Sequence, residues 1–198
     1  MKKFAFDLDG TITKVETLPI LARELGLAAQ ISELTELTLS GKIDFEKSFR
    51  LRYSILKNLP PQKIAAVMSN VELDENIFNF IRENKSNCAV VTGNLDCWIE
   101  PVAKKLGCEI FSSKSKIVND VPVLTEILKK DSAIRQLKKF CHKVIAVGES
   151  FNDVPMFEAA DISIAYGGVH KPVDAAVFVA DYLVNDSTAL CKLLESLK

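Results

Sequence analysis

No charge of one sign dominates this 198-residue chain: 25 lysines and arginines stand against 26 aspartates and glutamates, a formal net charge of -1. That balance provides no basic face for nucleic acid or anionic lipid, so any partner has to be read from a local site. Long apolar runs are also missing. Met1-Lys2-Lys3 is followed by only three apolar residues before Asp7, too few for a signal peptide, and nothing later approaches a membrane span. A cytoplasmic protein is the expectation. Histidine is scarce, with only His142 and His170, both expected to be structural or surface residues. Five cysteines, Cys88, Cys97, Cys108, Cys141 and Cys191, are never spaced as a Cys-x-x-Cys pair, which removes zinc and redox motifs. Cys88 and Cys141 flank expected strands and read as small apolar groups, in keeping with a reducing compartment. There are no repeats and no low-complexity tracts.

What remains is an ordinary globular composition, 48% apolar and 26% charged, of a length that suits one domain or one domain with an insertion. Short β-rich runs at 3–8, 88–92 and 143–147 read as buried strands, and further short strands are expected at 162–165 and 182–184. Helical patterns separate them, including 154–160 and 173–176. The alternation predicts an α/β fold, a doubly wound parallel sheet with helices on both faces. Between Thr13 and about Phe80 no strand run occurs. Leucine and isoleucine recur there at helical spacing over 18–27, 31–39 and 49–56, with further helices over 62–68 and 76–84, the first of these started by Pro60-Pro61. This predicts a helical cap over 14–80, inserted in an α/β core made of 1–13 and 81–198. A small hairpin within 104–122 is a weaker expectation.

The richest segment is Asp7-Leu8-Asp9-Gly10-Thr11, where the apolar run Phe4-Ala5-Phe6 ends. Two carboxylates at i and i+2 of a strand share a face. So close a pair raises its own pKa values or demands a cation, and magnesium is the natural one. One carboxylate is then free to attack an electrophile while the other handles protons, as phosphoryl transfer requires. The competing reading is a hairpin, since Asp-Gly is also a strong turn signal. All three polar motifs follow strands: Asp7 and Asp9, then Thr92-Gly93-Asn94, then Glu149 through Asp153. Ligands of such sheets sit beyond the carboxyl ends of the strands.

Asp7-Leu8-Asp9-Gly10-Thr11, Thr92-Gly93, a lysine near 130 and Gly148-Glu149-Ser150-Phe151-Asn152-Asp153, in that order, resemble the haloacid dehalogenase superfamily of phosphatases along the whole chain. Within it, Leu39 to Arg52, with its Gly-x-x-x-Phe-x-x-Ser-x-x-x-Arg frame, looks like the cap segment of phosphoserine phosphatases, and Glu16 is placed as in that family. The resemblance implies a core of Rossmann-like α/β type, Mg2+ as cofactor and a small phosphomonoester as partner, O-phosphoserine first.

Residue by residue, the resemblance implies that Asp7 is the nucleophile that becomes an aspartyl phosphate, and that Asp9 protonates the leaving alkoxide and then deprotonates water. Halide departure needs no proton, so Asp9 argues against carbon-halogen cleavage. Thr92 and Gly93 would bind phosphoryl oxygens. Lys130, before Asp131-Ser132-Ala133-Ile134, would neutralise the phosphate, with Lys129 as competitor. Asp7, the backbone carbonyl of Asp9, and Asp153 or Glu149 would hold the metal, and Asn152 would support the phosphate or metal shell. Glu149 departs from the family, which has aspartate there, and Asn94 stands where a glycine is usual. In the cap, Glu16 and Arg52 would answer the ammonium and carboxylate of phosphoserine, and Phe45 would close the pocket. Two alternatives stay open: the same chemistry on another small phosphomonoester, or a degenerate relative that only binds a ligand.

Overall fold

A computed structural model describes residues 2–198. Seven strands form one sheet in the order β4-β3-β2-β1-β5-β6-β7. They are β1 (Lys2–Phe6), β2 (Cys88–Leu95), β3 (Glu109–Val118), β4 (Val121–Glu126), β5 (Lys143–Gly148), β6 (Ile162–Tyr166) and β7 (Tyr182–Val184). All neighbours are parallel except β3 and β4. The expected α/β doubly wound sheet is therefore present, and the expected weak hairpin is larger than anticipated: it extends the sheet at its edge. After β1 the chain builds outward through β2 and β3, then returns to the other side of β1 to lay down β5. That reversal leaves a crevice at the carboxyl ends of β1 and β5, where such sheets bind ligands.

Strand alternation sorts the core into two layers. Phe4, Phe6, Ile145, Val147, Ile164 and Tyr166 point to one face, and the smaller Ala5, Ala89, Ala146 and Ala165 to the other. The small face lets α7 (Lys130–Leu137), α8 (Val154–Ala159) and α9 (Asp174–Val179) settle close to the sheet. The large face takes α5 (Glu75–Glu83), α6 (Asp96–Leu106) and α10 (Ser187–Ser196). Asp74 and Asp186 start α5 and α10 by accepting from the N–H groups of Ile77 and Ala189, so the first-turn donors are satisfied.

The helical segment consists of α1 (Thr17–Arg23), α2 (Ala28–Leu39), α3 (Phe45–Leu56) and α4 (Pro61–Ser69). Its helix α3 docks on the core through Phe49 and Tyr53, whose rings lie 6.4 and 6.2 Å from Trp98. The Tyr53 hydroxyl donates to the Pro122 carbonyl and accepts from Leu124 N–H, which ties the cap to the hairpin. Helix α5, read from sequence as the last cap helix, lies on the core instead: Phe80 packs edge-on to Phe4 at 5.3 Å. We place the end of the cap near Leu73, which bridges Thr13. Among the described residues no helix is long and apolar enough to cross a membrane.

Candidate active site

β1 ends at Phe6, earlier than the expected 3–8, and Asp7 leaves it in an extended conformation with its N–H on the Val147 carbonyl. Residues 8–12 then form a wide turn, closed where Thr13 N–H reaches Leu8 C=O at 2.9 Å. Gly10 adopts φ 74 in this turn, and a Cβ there would stand 2.8 Å from Glu149 Oε1. Only glycine meets both demands. This turn is no hairpin, and it does not keep the two carboxylates on a common strand face. Asp9 swings toward the cap, where Oδ1 accepts from Thr17 N–H (2.9 Å) and Thr17 Oγ1, and Oδ2 accepts from Asn94 Nδ2 (3.3 Å).

The partners of Asp7 come from β5 and α7. Lys130 Nζ donates to Asp7 Oδ1 and Asp153 Oδ1, each at 2.6 Å, with Lys130 only 4% exposed. Asp153 Oδ2 accepts from the N–H groups of Glu149 and Ser150 and from Ser150 Oγ, so both its oxygens are engaged. Glu149 Oε2 accepts from Thr11 Oγ1 at 2.6 Å, whereas Glu149 Oε1 is buried without a hydrogen-bond partner.

One oxygen from each of Asp7, Glu149 and Asp153 lies within 4.8 Å of the others, all three residues being buried. Lys130 compensates one of these three charges and leaves two. Burial, with repulsion from Asp153, pushes the Asp7 and Glu149 carboxyls well above their usual range, although Lys130 draws Asp7 back down. Burial alone would depress the Lys130 ammonium; Asp153 and Asp7 overcome it and hold the lysine charged. An oxygen-only pocket with two uncompensated charges and an orphan carboxylate oxygen fits a divalent cation.

Thr92 and Gly93 lie in β2 where its register with β3 shifts, between Val91 and Leu95. Thr92 Oγ1 accepts from Asn94 N–H, and Ser113 Oγ donates to the Gly93 carbonyl. Above them is the cap: a Cβ on Gly93 would come within 2.0 Å of the Phe45 ring, so the aromatic side chain rests directly on the glycine. Asp7, Asp9, Glu16, Arg52, Thr92, Lys130 and Asn152 surround one cavity of about 50 Å³, roofed by Phe45. Arg52 is 5% exposed, yet it donates only long bonds, to Ser48 C=O (3.4 Å) and Thr35 Oγ1 (3.3 Å). Among the described residues no carboxylate comes within ion-pair distance of it. Burial lowers its pKa, against Glu16 and Asp9, which raise it.

A family model for haloacid dehalogenase-like hydrolases matches residues 4–158. The chain belongs to that hydrolase family. A phosphoserine phosphatase of Methanocaldococcus jannaschii is 31% identical over 179 residues, covering 83% of this chain and 85% of that one. One from Archaeoglobus fulgidus is 28% identical over 185 residues; the match covers 86% of this chain but 54% of the relative, so this hydrolase spans about half of that longer protein. Among solved structures, a phospho-aspartyl intermediate analogue of a phosphoserine phosphatase superposes with a TM-score of 0.84 at 26% identity, covering 98% of this chain and 99% of that one. A substrate-bound phosphoserine phosphatase complex gives 0.82 at 26% identity, covering 98% of each chain.

Every site residue expected from the hydrolase's sequence is found around this cavity or in the acidic cluster beneath it. Lys130 is the buried lysine, whereas Lys129 is exposed and lines a neighbouring cavity of about 300 Å³. The Asp9 carboxylate is outside the acidic cluster. Sequence reasoning quoted Thr11 and Ser150 within their motifs and Asn94 as a departure from the family, but assigned no site role to them or to Thr17. Asn94 meets Thr17 across 77 residues and Thr11 meets Glu149 across 138, so no local signal gives their partners, whereas Ser150 and Asp153 form a capping box that four residues spell out. It also set His170 aside as structural or surface, but the structure puts Nε2 3.3 Å from Glu16 Oε1.

Proposed function

We propose that this hydrolase removes phosphate from O-phospho-L-serine by way of a phosphorylated Asp7, with a divalent cation, Mg2+ by preference, as cofactor. The observation that carries the substrate is a pair of opposite charges, Arg52 and Glu16, that line the same cavity, of which only Glu16 has a counter-charge within ion-pair range, His170 Nε2 at 3.3 Å. Arg52 is a buried guanidinium with no acid, and Glu16 Oε1 is a buried carboxylate oxygen without a hydrogen bond. A ligand that carries a carboxylate and an ammonium beside its phosphate satisfies both. The named relatives support the same reading.

Asp7, fixed through Oδ1 by Lys130, attacks phosphorus; the Asp7 O–P bond forms as the bond to the serine oxygen breaks. Asp9 delivers a proton to that oxygen. Its Oδ1 already accepts two hydrogen bonds from Thr17, so Oδ2, with one 3.3 Å contact to Asn94, is the oxygen that carries the proton. Asp9 then takes a proton from water, whose oxygen attacks phosphorus and releases phosphate from Asp7. Thr92, the Gly93 N–H and Lys130 stabilise the phosphoryl oxygens in a cavity that Phe45 lines beside Gly93.

Asp7 and Glu149 would hold the cation together with the Asp9 carbonyl. Asp153, with both oxygens already engaged, positions Lys130 and the 149–150 backbone. When bound, the cation supplies charge neutralisation between nucleophile and phosphate. The test is phosphate release from a panel of phosphorylated amino acids, sugars and nucleotides, with and without EDTA. Metal-dependent turnover with O-phospho-L-serine preferred is expected; no metal-dependent turnover of any member would overturn the assignment. Within the panel, Arg52→Ala should cut phosphoserine turnover far more than that of p-nitrophenyl phosphate, and equal losses would remove the substrate assignment.

A further inference from the structure

Three buried polar atoms near Gly10 have no hydrogen-bond partner: Glu149 Oε1, Glu16 Oε1 and His170 Nε2. The first belongs to the acidic cluster. The other two face each other at 3.3 Å, within ion-pair range, where a small turn of the ring brings its N–H onto the carboxylate. His170 lies in the segment between β6 and α9, on the core, whereas Glu16 immediately precedes α1 at the start of the cap. The Gly10 turn supports both: a Cβ there would stand 2.9 Å from His170 Cδ2 and 3.2 Å from Glu16 Oε1. Glu16 lines the 50 Å³ cavity and His170 does not. The imidazole therefore stands behind the carboxylate and leaves its cavity side open.

We propose that His170 is a positioning residue, holding Glu16 in place for the amino group of the substrate; this rests on the reading of Glu16 as the ammonium acceptor. A buried carboxylate with no neighbour is free to turn or to take up a proton, and in either case it loses its hold on an ammonium. A ring N–H behind it removes both options. Because Glu16 touches the amino group and not the phosphorus, the effect falls on substrate affinity rather than on chemistry.

The experiment compares O-phospho-L-serine with 3-phosphooxypropionate, which keeps the carboxylate and phosphate but lacks the amino group, in wild type, His170→Ala, His170→Gln and Glu16→Gln. In His170→Ala, KM for phosphoserine should rise about tenfold, the worth of one charge-assisted hydrogen bond. Its kcat and both constants for the des-amino substrate should stay at wild-type values. His170→Gln, which keeps a donor, should recover most of the lost affinity and guards against a folding defect in the alanine variant. An unchanged KM in His170→Ala, or an equal rise for both substrates, overturns the proposal. If Glu16→Gln discriminates between the substrates and His170→Ala does not, His170 alone is misassigned. If Glu16→Gln does not discriminate, or wild type leaves phosphoserine intact, the reading beneath the proposal falls with it.

Discussion

Lys130 holds two buried carboxylates together, and its loss exposes what that arrangement costs. Lys130→Met removes the shared cation from Asp7 and Asp153 and should destabilise the fold by about 3–5 kcal/mol, read from urea unfolding, while abolishing turnover. A stability change near zero would mean that neither carboxylate is charged in the resting protein. Glu149→Gln keeps the size of the side chain but removes a charge, so half-maximal activation should need about tenfold more metal. At this scale the sequence was informative where a residue's own neighbours define its setting. Lys130 begins a helix and Asp7 follows the end of a strand, and both positions can be read locally. Thr11, Thr17 and Asn94 act through partners far along the chain, and Asn94, noticed as a departure from the family, turns out to hold Asp9.

Among the elements, α3 matters most to the site because it carries Phe45 onto Gly93. Gly93→Ala should push that ring away and cut kcat/KM by about 10²-fold. Adding Phe45→Ala to Gly93→Ala should then cost little more, a non-additive cycle; full additivity would show that the ring and the glycine act separately. Away from the site, Asp161 Oδ2 accepts from Val144 N–H at 2.7 Å and Oδ1 lies 2.9 Å from Lys138, joining β5 to the end of α7. Its slight burial raises its pKa, but Lys138 and the Val144 N–H outweigh this and hold it below 3.8. A carboxylate depressed in the folded state adds stability above its unfolded pKa and loses it as pH falls through the folded one. Asp161→Asn should therefore lower the melting temperature at pH 7, with the difference shrinking as pH drops below about 4; a constant difference would contradict the assigned charge.

The central parallel strands β1, β2, β5 and β6 could be read in advance because burial on both faces makes them continuous apolar runs. β3 could not: Ser112 to Lys116 is polar, and its neighbours, not its composition, make it a strand. Helix α5 shows a second limit. Its apolar stripe was visible, but a stripe does not say what covers it, and Phe80 meets Phe4 of the core rather than the cap.

In the molecule as a whole, the reversal of strand order beside β1 gathers Asp7, Thr92 and Glu149 at one edge, and the cap inserted after β1 lowers Glu16, Phe45 and Arg52 onto them. On the proposed function, chemistry would belong to the core and selection to the cap. The most direct test of that division is rapid acid quench during turnover of 32P-labelled O-phospho-L-serine in the presence of a divalent metal. Hydroxylamine-labile label should appear on Asp7, disappear when EDTA is present from the start, and be absent from Asp7→Asn, which should still fold. Full turnover with no label on the protein, or label and activity that survive in Asp7→Asn, would contradict the account.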